Sequence, residues 1–142
     1  MSRIIIDFIH DFSALPFPRK ALLHAAQSVA EGECVEDGFS LNVIMCSDET
    51  IKELNRKYRA KDSPTDVLSF PFEESDFLGE IYISLHRAAE QAVRFGLGYD
   101  AEIERLFVHG LLHLLGYNHE GEVERSEMEE RENRYCCLSQ QM

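Results

Sequence analysis

The sequence predicts an α+β fold in which a mixed four-stranded sheet packs with about five helices. Two observations predict this class. Four segments have the apolar patterns of strands, and the segments between and after them have the 3.6-residue apolar spacing of amphipathic helices. A chain of 142 residues is long enough to bury a sizeable core and contains no repeats or linkers, so we expect one domain over 1–142.

The N-terminal part alternates between strand and helix. The apolar run at 3–10 (RIIIDFIH) predicts the first strand, and 19–32, which follows two prolines, has helical spacing and stops at a glycine. Residues 39–47 alternate as a second strand. Asp48 is placed to cap a short helix over 49–59.

The central and C-terminal parts add two strands and three helices. Two strands, 65–72 and 78–85, are joined by the polar turn EESD, and a helix over 86–96 ends at a glycine. Asp100 is placed to cap the next helix, 101–116. The last helix is strongly acidic, and its apolar residues recur at helical spacing, so we expect its outer face to be solvated.

Charge and composition limit the function. The net charge is −12, so nucleic acid is repelled at long range and any RNA binding requires a local basic surface. No apolar run approaches the ~20 residues that span a bilayer, and no export signal is recognisable. The four cysteines include no CxxC pair, which favours reduced thiols. These features predict a cytoplasmic protein that does not bind membranes.

The most informative motif is HGLLHLLGYNH, residues 109–119. His109 and His113 lie four residues apart in an apolar helix and therefore share one face. Burying two unpartnered imidazoles would cost about 1–3 kcal/mol for each, and a divalent metal removes that cost by binding both. Gly116 can turn the chain back in an αL conformation and so bring His119 near as a third ligand.

Three imidazoles with an open fourth position are typical of a catalytic zinc site. The spacing matches the zinc-peptidase motif H-E-x-x-H-x-x-G-x-x-H, but Gly110 occupies the position of the glutamate that acts as general base. Peptide hydrolysis is therefore disfavoured. Zinc is the leading candidate for the single divalent ion, and nickel or another ion that binds imidazole also fits these ligands.

A basic cluster forms the second unusual feature. Arg56, Lys57, Arg59 and Lys61 fall within six residues of a chain with fourteen Lys and Arg. Such a cluster can attract a polyanion, and cations near a helix C-terminus also stabilise the helix dipole. Charge alone does not choose between these roles.

The motif HGLLHLLGYNH, together with LNRKYRAKDSPTDVLSFPF and LGEIYIS, resembles the YbeY family of bacterial metal-dependent endoribonucleases and rRNA maturation factors. The resemblance extends from about Leu41 to His119. Two positions depart from the family pattern. Asn118 stands where the motif more often has Asp, and Glu80 stands where the strand motif often reads LGD.

The resemblance implies a single α+β domain with a metal, usually zinc, held by His109, His113 and His119, and a functionally important arginine at Arg59. It implies cleavage of single-stranded RNA, with a role in small-subunit rRNA 3′-end maturation and ribosome quality control. The expected partner is the small ribosomal subunit or a protein associated with it, and DNA is not an expected substrate.

A mechanism follows as a hypothesis. The metal polarises a phosphoryl oxygen or lowers the pKa of a water, while Arg59 grips a phosphate bidentately and offsets developing charge. Arg56, Lys57 and Lys61 are candidates for binding the substrate. No residue stands out as the general base: Asp66, Glu80 and Asn118 are neighbours of the motifs, and none is assigned that role.

Two other functions fit the same residues. The protein could be a non-catalytic ribosome-assembly factor whose metal is structural, with no exchangeable water. It could also hydrolyse a small ester or amide, which would require a closed apolar pocket in place of an open groove beside Arg59.

Overall fold

The computed structural model describes residues 4–10, 15–59, 67–74 and 76–138, with only the backbone of Arg59, Glu73 and Glu74. Four strands and five helices are defined in these ranges. In chain order they are β1 (Ile5–His10), α1 (Arg19–Gly32), β2 (Ser40–Cys46), α2 (Asp48–Arg59), β3 (Val67–Glu74), β4 (Phe77–Ser84), α3 (Leu85–Phe95), α4 (Tyr99–Leu114) and α5 (Glu122–Tyr135).

The strands form one mixed sheet in the order β1-β2-β4-β3. β1 pairs with β2 and β2 with β4 in parallel, whereas β3 and β4 form an antiparallel pair. Parallel neighbours require crossover connections, and α1 supplies the one between β1 and β2. The predicted α+β class, with a mixed four-stranded sheet and five helices, is confirmed.

The two faces of the sheet are covered unequally. α1, α3 and α4 pack on one face and bury the main core, which includes Leu22, Ile81 and Phe107. α2 packs on the other face, where Ile51 and Leu68 belong to a small second core. Side chains alternate between the faces along each strand, so consecutive residues of β3 and β4 serve different cores.

A bulge at the start of β4 interrupts that alternation. The pairing register with β2 shifts by one residue at Leu78, and the next residue, Gly79, has φ 145°, a backbone conformation that favours glycine. As a result Leu78 packs against the main core, while Phe77 contacts Phe72 on β3.

Two predicted helix caps are wrong. Asp48 is the first residue of α2, and the amide of Thr50 donates to the hydroxyl of Ser47, which is therefore the capping side chain. The Asp48 carboxylate is instead bound by Arg87. α4 begins at Tyr99, before Asp100, after a glycine cap that offers no side-chain hydrogen bond.

No helix in the described ranges is both long and apolar enough to cross a membrane.

Candidate active site

Helix α4 packs closely against the sheet because one of its residues has no side chain. A Cβ built on Gly110 would lie 2.8 Å from Cγ2 of Ile81 and 3.0 Å from Oγ of Ser69. The Ser69 hydroxyl donates to the Gly110 carbonyl across this contact at 3.2 Å. Position 110 therefore faces the sheet, and a larger side chain there would collide with Ile81 and Ser69 in this packing.

The histidines lie on a different side of α4. Successive helical residues are rotated by about 100°, so His109 points about a quarter-turn away from the face that carries Gly110. His113 lies one turn further along on the same side. The prediction that these two imidazoles share a helix face is confirmed by the 4.6 Å between their ring centroids.

The chain reverses direction after α4 as the sequence predicted. Gly116 has φ 106°, and its amide donates to the carbonyl of His113 at 3.0 Å. The amide of Tyr117 donates to the carbonyl of Leu112, also at 3.0 Å. These two bonds satisfy carbonyls at the helix end and turn the loop back towards the helix. His119 is thereby brought beside the other two histidines, with its ring centroid 5.2 Å from that of His113.

The three imidazoles form a compact ligand set. One nitrogen from each of His109, His113 and His119 lies within 4.8 Å of the other two. Nε2 of His109 and Nε2 of His113 are 3.1 Å apart, close to the ~3.3 Å expected for two nitrogens on a tetrahedral zinc. Two imidazole lone pairs facing each other at this distance repel unless a proton or cation lies between them. The donor set therefore fits a divalent metal that binds imidazole.

The histidines are less buried than the apolar sequence around them suggested. The side chain of His109 is 21% exposed, His113 is half-buried and His119 is exposed. The apolar neighbours point into the main core, whereas the imidazoles lie at its edge. The ligand set is thus accessible from solvent, and a substrate can reach it.

Glu132 on α5 contacts the ligand set from outside. Its Oε2 lies 3.1 Å from Nδ1 of His109, and its side chain is only 13% exposed. A carboxylate at Nδ1 favours the tautomer with its proton there, which leaves the Nε2 lone pair directed at the other histidines. Arg105 lies 4.0 Å from the second Glu132 oxygen and pairs bidentately with the buried Glu102.

A second polar cluster holds α5 in place. Glu33, at the end of α1, accepts hydrogen bonds from the hydroxyls of Tyr117 and Tyr135, both at 2.5 Å, and lies 3.3 Å from Nε of Arg131. Burial and the Glu33 carboxylate together raise the pKa of Tyr135 to about 12. A Cβ on Gly32 would collide with Tyr135, so the glycine permits this contact. The cluster ties α1, the loop after α4 and α5 together.

A cleft of about 270 Å³ opens beside two of the histidines. Its lining is mainly charged and comprises Arg105, His109, His119, Arg125, Met128, Glu129 and Glu132. A lining of this kind suits a polar or ionic substrate. It is unlike the closed apolar pocket that an esterase or amidase of small substrates would require.

The predicted basic residues lie elsewhere or are outside the described residues. Arg56 and Lys57 belong to α2, on the face of the sheet opposite α4. Arg59 is the last residue of α2, and its side chain is not among the described ones. Lys61 lies outside the described residues altogether. The described side chains therefore do not bring the basic cluster into contact with the histidines.

Of the three residues that the sequence left open as neighbours of the reaction, the two that the structure describes, Glu80 and Asn118, hydrogen-bond to groups other than the histidines. Glu80 accepts hydrogen bonds from the hydroxyl of Tyr82 at 3.1 Å and from the amide of Asn42 at 3.4 Å. Tyr82 packs in the second core, so this carboxylate lies on the α2 face of the sheet. The Asn118 side chain accepts from the amide of Glu120 and stabilises the loop that carries His119. Asp66 lies outside the described residues.

Sequence reasoning did not single out Glu132, which belongs to the acidic helix whose outer face was expected to be solvated. A signal did exist. Glu132 follows the buried Met128 by four residues and precedes the buried Tyr135 by three, so it falls on the apolar side of α5. A carboxylate between two buried positions requires a partner, and His109 is that partner.

Comparisons with known proteins agree with the resemblance of the motifs. The family model of Endoribonuclease YbeY matches residues 15–138. Endoribonuclease YbeY of Bacillus cereus (strain G9842) is 39% identical over 139 residues, which cover 88% of this chain and 89% of the relative. That of Persephonella marina is 42% identical over 135 residues, with 91% and 84% covered.

A solved structure agrees as well. The solution structure of TM1509 from Thermotoga maritima matches with a TM-score of 0.65 and 34% identity, covering 93% of this chain and 87% of that one. The range matched by the family model includes the whole histidine motif. The chain therefore belongs to the YbeY family of endoribonucleases, hydrolases that cut RNA internally.

Proposed function

We propose that the protein is a single-domain, metal-dependent endoribonuclease that cleaves single-stranded RNA, with one divalent ion, zinc, as its cofactor. The observation that carries the proposal is the solvent-accessible set of His109, His113 and His119, whose ligand nitrogens lie within 4.8 Å of one another. When bound there, a divalent ion supplies Lewis-acid polarisation of a phosphoryl oxygen and lowers the pKa of water.

The residues around the ligand set have separate tasks. The three imidazoles are neutral ligands, so they leave the positive charge of the ion available to the substrate. Glu132 holds the proton on Nδ1 of His109 and so fixes which nitrogen is the ligand. Arg105 and Arg125 line the adjacent cleft, where a guanidinium attracts a phosphodiester anion.

The basic cluster has a proposed role in binding and catalysis. Arg59 is the catalytic residue that grips the scissile phosphate bidentately and offsets charge that develops on it. Arg56, Lys57 and Lys61 bind the RNA backbone on either side. This assignment is supported by the family match, which spans all four residues, and by their concentration near the end of α2 in an acidic chain.

The proposed biological substrate is small-subunit rRNA, in 3′-end maturation and ribosome quality control in the cytoplasm. A net charge of −12 makes binding to free RNA weak and sensitive to salt. The small ribosomal subunit, or a protein associated with it, is therefore the proposed partner that supplies the missing affinity.

The other functions that fit the sequence receive less support. A purely structural metal would be enclosed by its ligands, whereas His119 is exposed and the set borders a cleft. A hydrolase of small apolar esters would need an apolar pocket, and this cleft is lined with charged side chains. Peptide hydrolysis would need a base where Gly110 packs on the sheet.

The direct test is cleavage of a labelled rRNA precursor that spans the small-subunit 3′ end. Zinc-loaded wild type should cut its single-stranded region, and an identically purified His113→Ala variant should not. His86→Ala, which alters an exposed histidine on α3, is the matched control and should cut as wild type does. A wild type that binds zinc and cuts neither this precursor nor the assembled small subunit would favour the assembly-factor function.

A further inference from the structure

Among the described residues, a single helix covers one face of the sheet. α1, α3 and α4 cover the opposite face, whereas α2 packs on this one. The half of this face nearest the edge strand β3 is rich in aromatic side chains. Tyr58, Phe70 and Tyr82 pack together there, and alternation along β3 puts Phe72, which contacts Phe77, on the same side as Phe70. We call these five residues the aromatic face.

The rings of the aromatic face support one another through their edges. Phe70 makes edge-to-face contacts with Tyr58 at 5.5 Å and with Tyr82 at 5.7 Å between ring centroids. Phe72 and Phe77 form a second such pair at 5.3 Å. Edge contacts hold a ring in a fixed orientation and leave part of its surface open to another planar group. Tyr58 is 59% exposed and Phe72 is 42% exposed.

Positive charge lies beside the aromatic face. Lys57 places its ammonium 5.3 Å from the centre of the Tyr58 ring. Arg56 is 3.9 Å from Glu53, and both side chains are mostly exposed, so this pair is weak and the guanidinium can turn to another anion. Glu80, a carboxylate on the same face, accepts hydrogen bonds from Tyr82 and Asn42. Exposed rings beside cations suit a polyanion that carries planar groups.

We propose that the aromatic face is a base-stacking platform for single-stranded RNA, with Arg56 and Lys57 contacting the phosphates. The inference rests on the proposed ribonuclease function and supplies a reason for preferring single strands, since only unpaired bases can stack on protein rings. Phe70 and Phe72 are two residues apart on one strand, which separates them by about 6.6 Å and lets them serve successive bases. A four-stranded sheet with exposed aromatics is also how one widespread class of RNA-binding domain stacks bases.

The platform and the histidines lie on opposite sides of β3. The hydroxyl of Ser69 contacts Gly110 on α4, while the next residue, Phe70, belongs to the aromatic face. Because β3 is an edge strand, RNA leaving the platform can pass around that edge to the α4 side. The platform thus contributes to holding RNA and takes no part in the chemical step. Its loss should raise KM and leave kcat nearly unchanged.

The test measures binding of a fluorescent single-stranded oligoribonucleotide to the zinc-loaded protein by anisotropy at low salt. Tyr58→Leu should weaken binding by about 5- to 150-fold, the range for loss of one stacked base, whereas Tyr58→Phe should bind as wild type does. Phe95→Leu is the matched control, because Phe95 is 64% exposed on α3, on the other face of the sheet, and its loss should change nothing.

A second probe avoids substitutions. An abasic oligomer of the same length keeps the phosphates and removes the rings, so wild type should bind it more weakly than the natural strand by a similar factor. Equal affinity for the two oligomers, or equal affinity of Tyr58→Leu and wild type, would overturn the platform. Cleavage measured on the same samples separates the two proposals. If Tyr58→Leu cuts RNA with the same rate and the same KM as wild type, the platform alone is refuted. If wild type binds RNA but never cuts it, the ribonuclease function alone is refuted.

Discussion

Oε2 of Glu132 lies 3.1 Å from Nδ1 of His109, although 23 residues separate them in the chain. The contact joins α5 to His109 on α4 and leaves Nε2 of His109 as the atom that faces His113. The carboxylate is 13% exposed, so water competes with this hydrogen bond only weakly. The acidic last helix thus has a specific task at the site in addition to its solvated outer face.

Removing this carboxylate should weaken metal binding. Glu132→Ala should lower zinc affinity by about 10- to 100-fold, because His109 loses the partner that orients its ring and raises its basicity. Glu132→Gln should lose less zinc affinity, since the amide oxygen of the glutamine can still accept a hydrogen bond from Nδ1 of His109. Competition with a chromophoric chelator measures the affinity, and Glu127→Ala, an exposed glutamate of the same helix, is the control. Unchanged affinity in Glu132→Ala would contradict the positioning role.

Replacing Arg59 should separate charge from geometry. Arg59→Lys keeps the positive charge and loses the bidentate fork, so kcat/KM for RNA cleavage should fall by about 10²–10³. Zinc affinity should stay at the wild-type value, because Arg59 is not a ligand. Arg94→Lys, on an exposed part of α3, is the matched control. A wild-type rate in Arg59→Lys would remove this residue from the chemistry.

Adding a methyl group at Gly110 should destabilise the fold. In Gly110→Ala the new Cβ would lie 2.8 Å from a carbon of Ile81, which forces α4 away from the sheet. Overpacking of this kind costs about 1–3 kcal/mol, and the gain in helix propensity of about 1 kcal/mol offsets part of it. The free energy of unfolding in urea should therefore fall by up to about 2 kcal/mol. If Gly110→Ala is as stable as wild type or more stable, the contact between α4 and Ile81 can relax to accept the methyl group.

The buried carboxyl of Glu104 should make stability depend on pH. It is 1% exposed, and burial raises its pKa from the ordinary value of 4.5, although the Leu138 amide donates to it at 2.9 Å. A raised pKa means that the folded state favours the protonated form, so the contribution of Glu104 to stability is lost as pH rises through that pKa. Glu104→Gln keeps an acceptor for Leu138 and never ionises.

The measurement for Glu104 is urea unfolding of Glu104→Gln and wild type between about pH 4 and pH 7. The variant should gain stability relative to wild type as pH rises, whereas Glu90→Gln, at an exposed position on α3, should show no such trend. If the difference in free energy of unfolding between Glu104→Gln and wild type stays constant across this pH range, Glu104 titrates as an exposed carboxyl does.

Local patterns were sufficient to predict most of the fold and the clustering of the three histidines. The span 19–32 was predicted as a helix from apolar spacing and a terminal glycine, and α1 has those bounds. His109, His113 and Gly116 act within a few residues of one another, so helix geometry alone places them. His119 then follows from the turn at Gly116.

Features that depend on distant partners could not be predicted in this way. Asp48 has the chemistry of a cap, but Arg87, 39 residues later, binds its carboxylate, and Ser47 caps the helix instead. Glu132 contacts His109 because α5 packs beside α4, where the buried Met128 and the cluster around Glu33 help to hold it. Propensity and spacing within a short window contain no information about such contacts.

The central claim is that the histidine set holds the metal on which RNA cleavage depends. In the most direct measurement, a chelator removes the metal from wild type and zinc is then titrated back. Bound zinc and cleavage of a labelled single-stranded RNA are followed together during the titration. Activity should be absent from the stripped protein and return in proportion to bound zinc up to one equivalent, while His109→Ala regains neither. Full cleavage by stripped protein, or equal cleavage by wild type and His109→Ala, would contradict the claim.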